Sequence, residues 1–240
     1  MGWKAIVGLL TFLVCVSIGH GAKSAPNAAL DTIADAYAPY RISLGYLRSG
    51  ETELGEISLQ LFIDKWEQVT KVLSAAPPAP FSGDPKFVAS LAEILKAAKD
   101  GQSDLARGDV SKAVTDLEAV RTILGDVRSR NGIRTLSDCI DDISGRMNLL
   151  QELRENRFDI NDSAQAKQAS DVVDALGPIL DRCGQQPPGR NREQFDRLIQ
   201  QAAASVKTAK EALAARDADR FIRIVRELRS IDHILFQQFD

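Results

Sequence analysis

The segment Leu105-Ala106-Arg107-Gly108-Asp109 returns 108 positions later as Leu213-Ala214-Ala215-Arg216-Asp217. Three more residues recur at the same offset: Phe87, Arg121 and Ile123 have Phe195, Arg229 and Ile231 as counterparts. A repeat at this distance predicts two structural units of roughly 100 residues each. The repeat therefore constrains the architecture before any chemistry is considered.

Helical periodicity runs through nearly all of the chain after Asp31, and convincing strand patterns are absent. The last segment shows it most clearly, because its apolar residues follow the i, i+3, i+4, i+7 spacing of a core-facing helix. These residues are Phe221, Ile224, Val225, Leu228, Ile231 and Leu235. Helix ends are marked by Asp84-Pro85, Gly108-Asp109 and Arg216-Asp217, which are capping or helix-ending pairs.

These patterns predict an all-α fold with eight helices. The first four lie near 31–47, 53–74, 85–106 and 109–129, and the second four near 136–156, 163–183, 191–214 and 217–238. Helices of about 20 residues with short connections pack antiparallel, which predicts two tandem up-down-up-down four-helix bundles. We place the first bundle at 25–131 and the second at 132–240, with Asn131-Gly132 at their junction. A tetratricopeptide-like array is the alternative, but its repeat of about 34 residues does not fit.

The first 24 residues have the pattern of a secretory signal peptide. Trp3-Lys4 gives a short basic start, Ala5 to Ile18 is an apolar run, and small residues cluster from Gly19 to Ser24. An uncleaved anchor is the alternative. We expect an exported chain, periplasmic or secreted, without membrane insertion after signal cleavage.

The charge pattern excludes some partners. The net charge is −3 at pH 7, with basic and acidic residues interspersed, whereas a nucleic-acid-binding protein normally has a net basic face. No block of lysines and arginines predicts a patch that binds a membrane surface.

After the signal segment two cysteines remain, Cys139 and Cys183. Each lies 22 residues from Asn161, near the centre of the turn between the fifth and sixth helices. In an antiparallel pair, equal counts at about 1.5 Å per residue put both sulfur atoms at one height. An exported compartment then favours a structural disulfide, with two buried free thiols as the alternative.

The second half resembles the soluble periplasmic cytochrome b and cytochrome c′ four-helix bundles. The likeness lies in Met147-Asn148-Leu149-Leu150, Asn161 to Lys167, and Leu228-Arg229 through Gln237-Gln238-Phe239. The resemblance implies haem b held between a methionine on the first helix and a histidine late on the fourth. Met147 matches the methionine, but Phe236 occupies the position of the histidine, and His233 lies one turn earlier.

Helical phase argues against haem ligation by these residues. With 100° per residue, His233 lies about 140° from Leu228 at the centre of the apolar face, whereas Met147 points inward. A haem iron needs its two ligands to converge, and no C-x-x-C-H motif for c-type attachment occurs. We therefore expect no cofactor, with Met147 in the core and His233 on the surface; haem b bound by Met147 and His233 is the alternative.

Catalytic and metal-binding patterns are weak. One histidine in the mature chain leaves no multi-histidine metal site and no credible catalytic triad. Asp138, Asp141 and Asp142 could bind a hard cation, but acids in a first helical turn complement the helix dipole, and Thr135 or Ser137 could cap this helix. We therefore assign no metal site and expect a protein that is not an enzyme.

Aromatic residues in the first half offer a possible partner surface. Tyrosine, tryptophan and arginine are enriched at binding hot spots. The first mature helix carries Tyr37, Tyr40, Tyr46, Arg41 and Arg48, and Trp66 follows on the second. The alternative is that the aromatic rings fill the core. The sequence thus predicts an exported, non-enzymatic binding or accessory protein with an unknown periplasmic protein partner. Alternatives are a haem-b electron carrier and a small-molecule or metal chaperone with an interhelical pocket.

Overall fold

The computed structural model describes residues 25–186 and 188–239, which form an all-α fold without strands in that part of the chain. The predicted signal peptide, residues 1–24, lies outside the described residues. The helices are α1 (Ala25–Ser49), α2 (Thr52–Ala75), α3 (Phe87–Ala106), α4 (Val110–Arg130), α5 (Leu136–Glu155), α6 (Ser163–Gly184), α7 (Arg192–Ala214) and α8 (Ala218–Phe239). A short 3₁₀ turn, Phe81–Gly83, precedes α3.

The helices pack as two sets of four. In the first set each helix contacts the next along the chain, and α1 also contacts α4. In the second set the same order holds, and α8 returns to pack on α5. This arrangement confirms the predicted fold class of two four-helix bundles. The sets meet where α1 contacts α8, and one cluster of buried apolar side chains extends through both.

The predicted helix limits agree closely with the structure except at two starts. Helix α1 begins at Ala25 rather than near residue 31. Helix α3 begins at Phe87 rather than Pro85 because the preceding residues form a turn. In that turn Asp84 Oδ1 accepts the backbone N–H of Lys86 at 2.9 Å, so the predicted capping side chain is used before the helix starts.

The repeated segment builds the same turn in both bundles. Gly108 and Arg216 both adopt left-handed backbone, with φ of 79° and 53°. The next residue caps the following helix in each copy. Asp109 accepts the N–H of Lys112 and Asp217 accepts the N–H of Arg220, both at 2.9 Å. The repeat thus marks a helix end and a cap, as the sequence predicts.

Candidate functional site

Most of the predicted aromatic surface is buried. Tyr37, Tyr40 and Trp66 are 4%, 0% and 0% exposed, which corrects the expectation that they face a partner. Their rings continue through Phe62, with centroids 4.8 Å apart for Tyr37–Tyr40, 5.4 Å for Tyr40–Phe62 and 5.5 Å for Phe62–Trp66. They form the core of the first bundle, which was the alternative interpretation of the sequence.

The polar atoms of these rings explain why they can be buried. Tyr40 Oη donates to the carbonyl oxygen of Leu117 on α4 at 2.8 Å. Trp66 Nε1 donates to the carbonyl oxygen of Leu91 on α3 at 3.0 Å. A buried polar group is tolerated when it is hydrogen-bonded. These two bonds therefore tie α1 to α4 and α2 to α3.

The other two predicted surface residues differ from each other. Arg41 is half-buried, and Tyr46 is the one aromatic residue of the predicted set that is exposed. Tyr46 lies near the end of α1, one helical turn after Ile42, which is also exposed. The first bundle therefore does present apolar surface, but at a different place from the predicted aromatic cluster.

We define the hairpin patch as Ile42 and Tyr46 on α1 with Leu54, Ile57 and Leu61 on α2. Ile57 is 68% exposed, and the other four are between 36% and 48% exposed. Both groups lie at the end of the hairpin where α1 turns into α2, since Ser43 Oγ donates to the carbonyl oxygen of Gly55 at 2.8 Å. Exposed large apolar side chains gathered in one region of a soluble protein commonly mark an interaction site.

The α2 part of this patch was not predicted, because apolar periodicity alone does not distinguish an exposed stripe from a core-facing one. Helix α2 has apolar residues on more than one face. Its buried face carries Leu59, Phe62, Ile63, Trp66, Val69 and Leu73. The exposed stripe of Leu54, Ile57 and Leu61 has its own i, i+3, i+7 spacing, and that second stripe was the available signal.

The two cysteines form a disulfide, as the counting argument predicts. The Cα atoms of Cys139 and Cys183 are 5.6 Å apart, and both residues are buried. The bond joins the start of α5 to the end of α6. Both sulfur atoms are therefore used in bracing the second bundle.

The structure does not place Met147 and His233 around a common pocket. Met147 is buried in the apolar cluster, whereas His233 lies on α8 facing α1 of the first bundle. The expected position of Met147 in the core is confirmed. His233 is half-buried rather than fully on the surface. Its side of α8 points away from the core of the second bundle, as the helical phase predicts, but α1 of the first bundle packs against it.

A cleft of about 420 Å³ separates α1 from α8. Its lining residues are Ile42, Gly45, Tyr46, Arg48, Ser49, His233 and Gln237. The structure thus brings together Tyr46 and His233, which the sequence assigned to different bundles and different roles. We call this space the α1–α8 cleft.

The acidic cluster at the start of α5 pairs with arginines. Arg128 Nε donates to Asp138 Oδ1 at 2.6 Å, and Arg121 is bonded to Asp141. Arg134 Nη2 donates to Asp142 at 2.5 Å. Two of these arginines belong to α4, so the pairs link the bundles. Within the described residues, no three histidine, cysteine or acidic side chains are grouped as a metal site requires.

A second polar contact crosses the interior between α5 and α8. Ser144 Oγ donates to Asp232 Oδ1 at 2.5 Å and accepts from Arg121 Nη2 at 3.1 Å. Arg229 Nη1 donates to the other Asp232 oxygen at 2.9 Å. Arg121 and Arg229, which occupy equivalent positions in the repeat, thus both contact this buried network. It holds α4, α5 and α8 together.

None of the helices in the described part of the chain is long and apolar enough to cross a membrane. Comparisons with known proteins add no family assignment. No protein-family model matches the chain, and neither a curated protein nor a solved structure is significantly similar to it.

Proposed function

We propose that this chain is an exported, non-enzymatic binding protein that docks a protein partner through the hairpin patch. The observation that carries the proposal is the concentration of exposed apolar side chains at one end of α1–α2. Of the seven large apolar side chains that are exposed among the described residues, five belong to the hairpin patch. When a partner covers such a surface, apolar area is removed from water, which favours binding.

The spacing within α2 supports a helical partner. Leu54, Ile57 and Leu61 occupy i, i+3 and i+7 positions, so their side chains line one stripe along about two turns. An amphipathic helix can lay its own apolar face along such a stripe. Ile42 and Tyr46 on the neighbouring helix then add contact area at the same end of the hairpin.

Charge next to the stripe supports a basic partner. Glu51, Glu53 and Glu56 are exposed, and residues 51–61 contain no lysine or arginine. Complementary charge steers association and fixes the orientation of a partner. The partner we propose is therefore an amphipathic segment whose apolar face is bordered by lysine or arginine.

The test is capture from the exported fraction of the native cells with three forms of the full chain. They are the wild type, the double variant Ile57→Ser/Leu61→Ser, and the control Val88→Ser, which changes an exposed apolar residue on α3. Surface changes of this kind alter stability by only about 0.5 kcal/mol, and urea denaturation checks that the variants remain folded.

We expect a protein captured by the wild type and by Val88→Ser, with at least about tenfold weaker binding to the double variant. A charge-reversed variant, Glu53→Lys/Glu56→Lys, should weaken binding of the same protein, most strongly at low salt. Equal binding to the wild type and to Ile57→Ser/Leu61→Ser would refute the proposed docking surface.

A further inference from the structure

The α1–α8 cleft shares Ile42 and Tyr46 with the hairpin patch but adds polar groups that the patch lacks. Its walls come from the two bundles, with Tyr46, Arg48 and Ser49 on α1 and His233 and Gln237 on α8. These are five side chains with hydrogen-bonding groups. Ile42 provides an apolar edge beside the Tyr46 ring. A concave site with a few polar groups and an apolar wall is the usual composition of a small-molecule site.

Gly45 of α1 and Gln237 of α8 meet in the lining of the cleft. Gly45 faces the side chain of Gln237, and a Cβ atom at position 45 would overlap the Gln237 amide nitrogen. The absence of a side chain at position 45 therefore leaves room for the Gln237 side chain between α1 and α8. The exposed Gln237 side chain lines the cleft, where its amide can donate to or accept from a bound group.

The arginine in the cleft is held in place. Arg48 forms an ion pair with Glu118 of α4, and its guanidinium carbon lies 5.8 Å from the centroid of the Phe236 ring. The Arg48 side chain is 23% exposed. A guanidinium has five N–H donors in a fixed planar arrangement. After pairing with one carboxylate, the remaining N–H groups can donate to a second anion.

His233 lies close to charged groups of both bundles. Burial lowers the pKa of His233 below its ordinary value, and the positive charges of Arg229 and Arg48 lower this pKa further. Asp232 acts in the opposite direction and is outweighed. The charged groups near the imidazole are thus Arg48 of α1, Arg229 and Asp232 of α8, and Glu118 of α4 through its pair with Arg48. Both arginines are already paired with a carboxylate, so a bound anion would act by stabilising a proton on His233.

We propose that the α1–α8 cleft binds a small organic carboxylate, with the anionic end at Arg48 and His233 and the apolar body against Ile42 and Tyr46. A single negative charge suits one guanidinium that is already paired with Glu118 and one imidazole. A multiply charged phosphate is commonly bound by clusters of arginines, which this cleft does not provide. This inference does not depend on the partner proposed for the hairpin patch.

Binding of the carboxylate and protonation of His233 are coupled, and each makes the other more favourable. An anion beside the imidazole stabilises its charged form, so binding raises the pKa of His233. By linkage, the carboxylate binds more tightly at pH 5.5 than at pH 7.5, where the imidazole is neutral. At pH 5.5 the carboxylate is still ionised, because ordinary carboxyl groups have pKa values near 4.

Benzoate is the probe, and NMR titration of the His233 ring proton in the full chain is the measurement. The His233→Gln variant identifies the His233 signal beside that of His20. We expect benzoate to raise the pKa of His233 and to bind at least about threefold more tightly at pH 5.5 than at pH 7.5. Arg48→Gln should weaken binding about tenfold or more, and His233→Gln should abolish its pH dependence.

Controls separate the carboxylate from other ligands. Arg146→Gln changes an exposed arginine on α5 and should leave benzoate binding unaltered. Benzyl alcohol tests the apolar body without the charge, and inorganic phosphate tests charge without the apolar body. Equal binding of benzyl alcohol or of phosphate would overturn the proposal. So would the absence of benzoate binding at about 10 mM, a concentration at which even sites with millimolar Kd are occupied.

Discussion

The exposed surfaces of the two bundles differ more than their backbones do. All seven large apolar side chains that are exposed among the described residues lie in α1, α2 and α3, and none lies in α5 to α8. The second bundle instead carries the Cys139–Cys183 disulfide. Both bundles share the capped turn of the repeat. They therefore differ in their surface side chains and in the disulfide rather than in the backbone of that turn. The first bundle carries the exposed apolar side chains, and the second carries the covalent brace.

The largest expected effect comes from the aromatic core of the first bundle. Trp66→Ala removes a fully buried side chain and its hydrogen bond to the Leu91 carbonyl. We expect a loss of about 3–5 kcal/mol in the free energy of unfolding. Urea denaturation followed by circular dichroism measures it, with Val72→Ala on the exposed side of α2 as the control. A loss no larger than that of Val72→Ala would show that these aromatic rings do not form the core.

Removing the disulfide should destabilise the second bundle more than the first. We expect Cys139→Ser/Cys183→Ser to lose about 2–4 kcal/mol, because the open chain gains conformational freedom when unfolded. Hydrogen exchange with mass spectrometry should show faster exchange in α5 and α6, with little change in α1 to α4. Equal acceleration in all eight helices would mean that the brace serves the whole molecule rather than the second bundle.

A smaller effect tests how the repeat packs its core. Gly101 and Leu117 occupy the positions that hold Ala209 and Val225 in the second bundle. A Cβ atom at position 101 would lie 3.0 Å from Leu117 Cγ, so Gly101→Ala should overpack this contact and cost about 1–2 kcal/mol net. Adding Leu117→Val, which restores the pair used by the second bundle, should recover part of that loss.

A double-mutant cycle in urea measures this compensation. Independent effects of the two substitutions would show that the glycine is not matched to the larger leucine. The result would then remove one physical reason for the difference between the repeats.

The smallest effect concerns His233 at the contact between the bundles. Its folded-state pKa is lowered, first by burial and then by Arg229 and Arg48, so folding favours the neutral imidazole. The associated stability is fully present above the unfolded pKa of about 6.5 and is lost as the pH falls through the lower folded pKa. The urea midpoint of the wild type should therefore fall more between pH 7.5 and 5.5 than that of His233→Gln. Parallel curves would contradict this environment for His233.

The sequence was sufficient for features that depend on local spacing. The helices follow from apolar periodicity, and the turns at Gly108-Asp109 and Arg216-Asp217 follow from capping chemistry. The disulfide could be predicted because two cysteines at equal distances from one turn must lie at the same height in a helical hairpin. Each of these features involves one helix or one pair of neighbouring helices.

Features that depend on distant segments could not be predicted. Tyr40 is buried because its hydroxyl reaches the Leu117 carbonyl, 77 residues away, and periodicity does not reveal such a contact. The α1–α8 cleft joins the two ends of the folded chain, so no local pattern linked Tyr46 with His233. The exposed stripe on α2 consists of leucine and isoleucine, which are usually core residues. Only the packed structure shows that a different face of α2 fills the core.

The proposal that the second bundle holds no haem is tested most directly by a visible spectrum of the purified protein after expression with ample haem. We predict a colourless protein without a reduced-state haem band, because Met147 lies in the second core and His233 faces the α1–α8 cleft. A haem band that disappears in Met147→Ala would contradict the haem-free proposal and would make the second bundle a cofactor carrier.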